Sequence, residues 1–260
     1  MPLRTASPEE RSDRTRQRPQ SAKSKVYVGV IIDPCYSPRP LPPLGMSDRQ
    51  HTFARLRIDP DRPDPRKLAP AVDALRRGEV IIYPTDTGYA FGCALSSSKG
   101  ISELRRLKGI HAKHQKPLTM MVENLNDMGR YGVMSNTAFR VVRRLLPGPY
   151  TIVLKATSDV PRAMKNRAQE VGMRLPDHKV STMLVEHLGE PLLTGSVTPG
   201  EDTPELEDPQ ELESRYAREI ALMIDAGHIW PEPSTVLRFD VSGDIEVLRA
   251  GQGRFLETPT

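Results

Sequence analysis

The run Val80-Ile-Ile-Tyr-Pro-Thr-Asp-Thr-Gly-Tyr-Ala-Phe-Gly92 constrains this chain more than any other stretch. Four consecutive apolar residues followed by Pro84 predict a buried strand that stops at a turn. Thr85, Asp86 and Thr87 then place two hydroxyls and a carboxylate at the strand mouth, where ligands bind in open α/β sheets. Between Glu103 and Glu123 the chain carries no acid, while Arg105, Arg106, Lys108, Lys113 and Lys116 lie there with His111 and His114. Arg105 and Arg106 read as a solvated helix face. Lys108 and Lys116 differ: they flank a glycine-containing loop returning to a strand at 118–122, a position from which lysines reach into a crevice.

Elements alternate along the rest of the chain. Asp64-Pro65 caps a helix carrying Leu68, Ala71, Val72 and Leu75, closed by Gly78. Strand 89–95 and helix 98–108 follow. Asn136 is expected to cap a helix with Phe139, Val142, Leu145 and Leu146 inward, and strands are expected at 150–154, 171–175 and 192–197 with a helix over 180–188 between the last two. Asp208-Pro209 predicts a long amphipathic helix reaching Gly227, and 235–239 and 245–248 read as the last strands. This alternation defines one α/β domain over 57–255, with connections too short for an all-parallel sheet. Trp230 reads as a packing residue, with base stacking the alternative.

Charge locates the function less than the isoelectric point of 9.1 suggests. Residues 1–45 hold eight of the 37 basic and four of the 33 acidic side chains, leaving 29 of each in 46–260. Any polyanion contact in the body therefore needs a local patch. The same 45 residues contain eight of the 25 prolines and one apolar cluster, 26–32, far short of a membrane span. They read as a disordered extension, or as one left untranslated by a start at Met46. Cys35 and Cys93 form no disulfide framework, which points to the cytoplasm, and neither they nor His111 and His114 have metal-ligand spacing.

Polar residues gather at strand ends: Thr85, Thr87, Lys108, Lys116, Arg174, Ser196, Thr198, Ser234, Thr235 and Arg249. If those ends converge, four cations and several hydroxyls make a site for a polyanion such as a nucleoside triphosphate. No Walker, GxGxxG or GxSxG signature is present.

The ordered segments Tyr83-Pro-Thr-Asp-Thr-Gly, Leu107-Lys-Gly with Lys116-Pro-Leu, Leu146-Pro-Gly-Pro-Tyr, Val171-Gly-Met-Arg-Leu-Pro, Pro191-Leu-Leu-Thr-Gly-Ser and Pro233-Ser-Thr-Val resemble the motif series of the YrdC/YciO family, closest to its YciO branch. The resemblance implies a YrdC-like twisted mixed sheet with flanking helices and a basic concave surface. It also implies threonylcarbamoyl-AMP formation from L-threonine, bicarbonate and ATP with Mg²⁺, for N6-threonylcarbamoylation of tRNA adenosine, with no tightly bound cofactor. The alternative it allows is a non-catalytic module binding nucleotide or double-stranded RNA. By matching position, Lys108, Lys116 and Arg174 would be catalytic, contacting carbamate, carboxylate and phosphates. Thr85 and Thr87 would line the threonine side, Ser196, Thr198, Ser234 and Thr235 the nucleotide, and Arg249 would close the site. Two positions depart from the synthase pattern: Lys108-Gly-Ile110 replaces Lys-x-Arg, and Ser196-Val-Thr198 replaces Ser-x-Asn. Losing one charge-assisted contact in a transition state costs about 2–4 kcal/mol.

Overall fold

A computed structural model describes residues 53–110, 118–161, 164, 168–197 and 207–255, all within a compact unit spanning Arg49–Thr260. The 1–45 extension, Cys35, His111, Lys113, His114, Lys116 and Thr198 lie outside the described residues.

The fold is a mixed α/β sheet with helices on its flanks. In chain order the elements are β1 (Ala54–Arg57), α1 (Pro65–Arg76), β2 (Ile81–Thr85), β3 (Gly88–Ala94), α2 (Ser98–Leu107), β4 (Thr119–Met121), α3 (Leu125–Tyr131) and β5 (Gly132–Val133). They continue as α4 (Asn136–Leu145), β6 (Tyr150–Ala156), β7 (Glu170–Arg174), α5 (Lys179–Leu188), β8 (Leu192–Ser196), α6 (Pro209–Tyr216), β9 (Leu222–Asp225), β10 (Thr235–Phe239) and β11 (Ile245–Arg249). The strands run β1-β9-β2-β3-β8-β4-β7-β6-β10-β11 across one sheet, with β5 on β6. β9 is parallel to β1 and β2, β7 to β4, and β10 to β6, while the remaining neighbours are antiparallel.

Apolar residues on both faces explain why β2 reads as an unbroken run rather than an alternation. Ile81 and Tyr83 face a core with Leu68 and Leu75 of α1 and Val180 and Leu184 of α5. Ile82 faces the opposite core with Phe91, Leu104, Ile152 and Leu237. Among the described residues, no helix is long and apolar enough to cross a membrane.

Several local expectations are corrected. β2 continues through Pro84, because its ladder with β9 covers only Ile81 and Ile82 and so asks no amide of residue 84 on that side. Ser135, not Asn136, caps α4 by accepting from the Ala138 amide, and Phe139 is 39% exposed rather than inward. The helix expected up to Gly227 ends at Tyr216. Leu222–Asp225 instead forms a strand buried between β1 and β2, a short apolar run whose period alone does not separate helix from strand. α3 and β5 had no strong sequence signal, though Asn124 caps α3 as an asparagine should. β1 begins at Ala54, ahead of the boundary expected at 57, and Trp230 is 76% exposed, not packed.

Candidate anion site at the β2–β3 hairpin

Asp86 and Thr87 form the two-residue connection of a tight hairpin whose closing pair is Thr85 opposite Gly88. The Thr85 hydroxyl donates to the Gly88 carbonyl at 2.7 Å and accepts from the Thr87 amide at 3.2 Å. Thr85 is 3% exposed, so it holds the turn. Thr87 is half-buried beside it, the two hydroxyls 3.3 Å apart.

Arg174 ends β7, and its Nη2 donates to Asp86 Oδ1 at 2.6 Å, with the two side chains 13% and 9% exposed. The other Asp86 oxygen accepts from the Asp177 amide at 3.1 Å. This contact is unexpected from the ladders. β2 and β7 are four neighbours apart in the strand order, about 19 Å in a flat sheet. The registers also place them at opposite corners, since Thr85 is level with Gly88, while Ala94 is level with Leu192, Met121 and Arg174. A twisted sheet is saddle-shaped and brings the corners of one diagonal toward each other. The Arg174–Asp86 pair closes that diagonal.

Around each corner stand further polar groups. At the hairpin corner, Lys108 is the C-cap of α2; its Nζ donates to the Ser196 carbonyl, and its stem lies over Gly195, where a Cβ would meet Lys108 Cδ at 3.3 Å. Ser196 pairs with Ala90, and the Val197 amide donates to the Tyr89 carbonyl at 3.0 Å, so β8 runs out beside the hairpin. At the other corner, Arg249 donates from Nη2 to the Ser234 carbonyl at 2.8 Å and to Ser234 Oγ at 3.1 Å. Ser234 is buried, its hydroxyl 2.9 Å from that of Thr151. Thr235 Oγ1 donates to the Gly253 carbonyl and accepts from the Gly251 amide at 3.0 Å. Ser234 and Thr235 thus support Arg249 and the loop after it.

The electrostatics point to an anion. Burial, and then the Arg174 guanidinium, hold Arg249 below the usual arginine range. Arg174 Nε is buried without a hydrogen-bond partner among the described residues. A guanidinium paired to one carboxylate and carrying an orphaned donor, with a second guanidinium that feels its charge, is suited to a phosphate or carboxylate ligand. Covalent catalysis finds no candidate in Cys93, since it is buried and its thiol is pushed up to about 12 by burial. Arg106 is turned away onto Glu103 and Glu219, at 2.6 and 2.9 Å. Ile110, at the arginine position of the synthase pattern, packs against the core.

His178 adds a pH dependence. It is the N-cap residue of α5 without a side-chain capping bond, and its Nδ1 is buried without a partner among the described residues. Burial holds it below its ordinary value of 6.5 despite Asp86, Asp177 and Asp61 nearby. The unfolded chain then binds a proton that the folded one refuses, so stability is full above about pH 6.5 and falls as the pH drops toward the lowered folded value. Chemical denaturation at pH 7.5 and 5.5 should show this loss, and His178→Asn should reduce the difference between the two.

The order of the strands and the flanking helices are those of a YrdC-type domain. Residues 73–251 match the Sua5/YciO/YrdC family, described under telomere recombination, and the chain belongs to that family. YciO of Escherichia coli K12, itself an uncharacterised protein, is 36% identical over 199 residues, covering 75% of this chain and 94% of its own length. The crystal structure of E. coli YciO superposes with a TM-score of 0.69 over 78% of this chain and 96% of that one. Human threonylcarbamoyl-AMP synthase is 31% identical over 191 residues, covering 71% of this chain and 67% of that protein. Sua5 of P. abyssi, crystallised with L-threonine, has the same fold at a TM-score of 0.66 and 23% identity, over 76% of this chain and 57% of that one.

Proposed function

We propose that this protein binds ATP at the bridged diagonal and forms threonylcarbamoyl-AMP from L-threonine and bicarbonate, for N6-threonylcarbamoylation of tRNA adenosine. The observation that carries this reading is Arg174 at the hairpin, paired with Asp86 at 2.6 Å and with its Nε buried without a partner among the described residues. Cations suited to phosphate, with Cys93 buried and its thiol pushed up to about 12, suit a reaction in which the substrates react with each other. The threonine nitrogen attacks the bicarbonate carbon and water is lost. A carbamate oxygen then attacks the α-phosphorus, and the α–β bridging oxygen leaves with pyrophosphate.

In this reading Arg174 and Arg249 neutralise carboxylate and phosphate charge, and Lys108, with Lys116, faces the carbamate and phosphates. Thr87, Ser196 and Thr198 contact substrate, while Thr85, Ser234 and Thr235 hold these groups in place. Mg²⁺ belongs to the nucleotide as substrate. Among the described residues no cluster of three His, Cys, Asp or Glu could cage it.

The test is pyrophosphate release by the full-length chain with ATP, Mg²⁺ and bicarbonate, with and without L-threonine. Threonine-dependent release is expected, and Lys108→Ala should lower it about a hundredfold. A second reading, a module that binds nucleotide or double-stranded RNA without turnover, is favoured by the packing of Ile110 on the core in place of a guanidinium. ATP binding without threonine-dependent release would select it.

A further inference from the structure

We propose that Trp230 is a stacking platform for a nucleobase, placed beside the β2–β3 hairpin by the β9–β10 connection. The inference rests on the nucleotide-site reading and extends it to how the base is held. Trp230 is the single tryptophan of the chain and, at 76% exposed, the most exposed large apolar side chain among the described residues.

Its connection is tied down at both ends of the site. The Tyr89 hydroxyl donates to the Gly227 carbonyl at 2.6 Å and accepts from the Ala226 amide at 3.0 Å, fixing the start of the connection to β3. Pro231 lies against the hairpin so closely that a Cβ on Gly88 would sit 3.2 Å from its Cα. Three residues further on, the Ser234 carbonyl receives Arg249. Residues 231–234 therefore run from the hairpin corner to the arginine corner, and Trp230, next to Pro231, stands at the hairpin end of that run.

The indole is also held in orientation. Pro231 and Pro233 stiffen the backbone on its C-terminal side. The His228 ring meets it edge-on, centroids 5.0 Å apart at 64°, and His228 Nε2 is 3.4 Å from Glu207. A lone, oriented aromatic ring beside an anion site is what a planar base with a phosphate tail requires; a protein partner would need a contiguous apolar patch. Such stacking tolerates any base, so the platform serves a free nucleotide or an unpaired base of an RNA alike.

Because Trp230 is the sole tryptophan, its emission reports the contact directly. Full-length protein is titrated with ATP, with inorganic tripolyphosphate and with a short oligoadenylate, reading tryptophan fluorescence and, in parallel, heat of binding. ATP is expected to quench the emission, tripolyphosphate to bind without quenching, and Trp230→Ala to weaken ATP about tenfold while leaving tripolyphosphate unchanged. Trp230→Phe should retain most of the affinity. Quenching by ATP alone assigns the platform to a free nucleotide, and quenching by the oligoadenylate as well extends it to RNA. Unquenched ATP binding, with equal affinity in Trp230→Ala, would overturn the platform and leave the anion site standing. Failure of both ATP and tripolyphosphate to bind would remove the site and the platform together.

Discussion

Arg174→Ala is expected to lower the free energy of unfolding by about 3–5 kcal/mol, the effect of breaking a buried ion pair from one side. Arg174 and Asp86 are 13% and 9% exposed, so water replaces the missing partner only in part. Among the described residues, the Asp86 carboxylate would be left with only the Asp177 amide, 3.1 Å away. The cost is that of an uncompensated buried charge, and this distinguishes it from loss of packing. Asp86→Ala in the Arg174→Ala background removes the stranded charge and should recover a large part of the loss. Urea midpoints of the two single variants and the double variant, at unchanged m-value, measure the coupling. Additive effects would show that the pair does not hold the diagonal closed. Tripolyphosphate affinity should fall in Arg174→Ala even where the protein is fully folded, because the ligand loses a guanidinium next to Arg249.

Gly251→Ala is the second large effect, expected to cost about 3 kcal/mol or more. A Cβ at residue 251 would overlap the Pro233 carbonyl oxygen and stand 2.6 Å from the Ser234 carbonyl carbon. Both are backbone atoms that cannot rotate away. The strain falls where the Gly251 amide donates to Thr235 Oγ1 at 3.0 Å and the Gln252 amide to the Pro233 carbonyl at 2.9 Å. The segment after β11 should therefore detach, moving Arg249 off Ser234. Faster amide exchange at residues 251–253 and a lower melting temperature would record it. Gly189→Ala is the control: a Cβ there meets nothing within 4 Å, and only its φ of 79° is unfavourable, a penalty of about 1–2 kcal/mol.

Residue chemistry alone determined much of this protein. The cap and proline of α1, the buried run of β2, the Thr-Asp-Thr connection and the basic loop end at Lys108 are local signals, and the order of the motifs carried the family. Sequence reasoning failed where tertiary contacts outweigh local pattern. Leu222-Met-Ile-Asp suits a helix as well as a strand until β1 and β2 flank it on both edges. Trp230 is apolar, yet the chain ahead of it is tied to the site by Tyr89, which leaves the indole outside the core.

The same division runs through the candidate site. Thr85, Ser234 and Thr235 were identifiable as strand-end hydroxyls, but only their hydrogen bonds separate groups that hold the turn from groups that face a ligand. Asp86 and Arg174 are 88 residues apart, and every ladder between them places them at opposite corners. Strand twist accumulates over the whole sheet rather than at any residue, so a one-dimensional pattern carries no record of which diagonal closes. The sequence by itself supplied the cations, the hydroxyls and the carboxylate; the saddle of the sheet decided that Asp86 and Arg174 share one place.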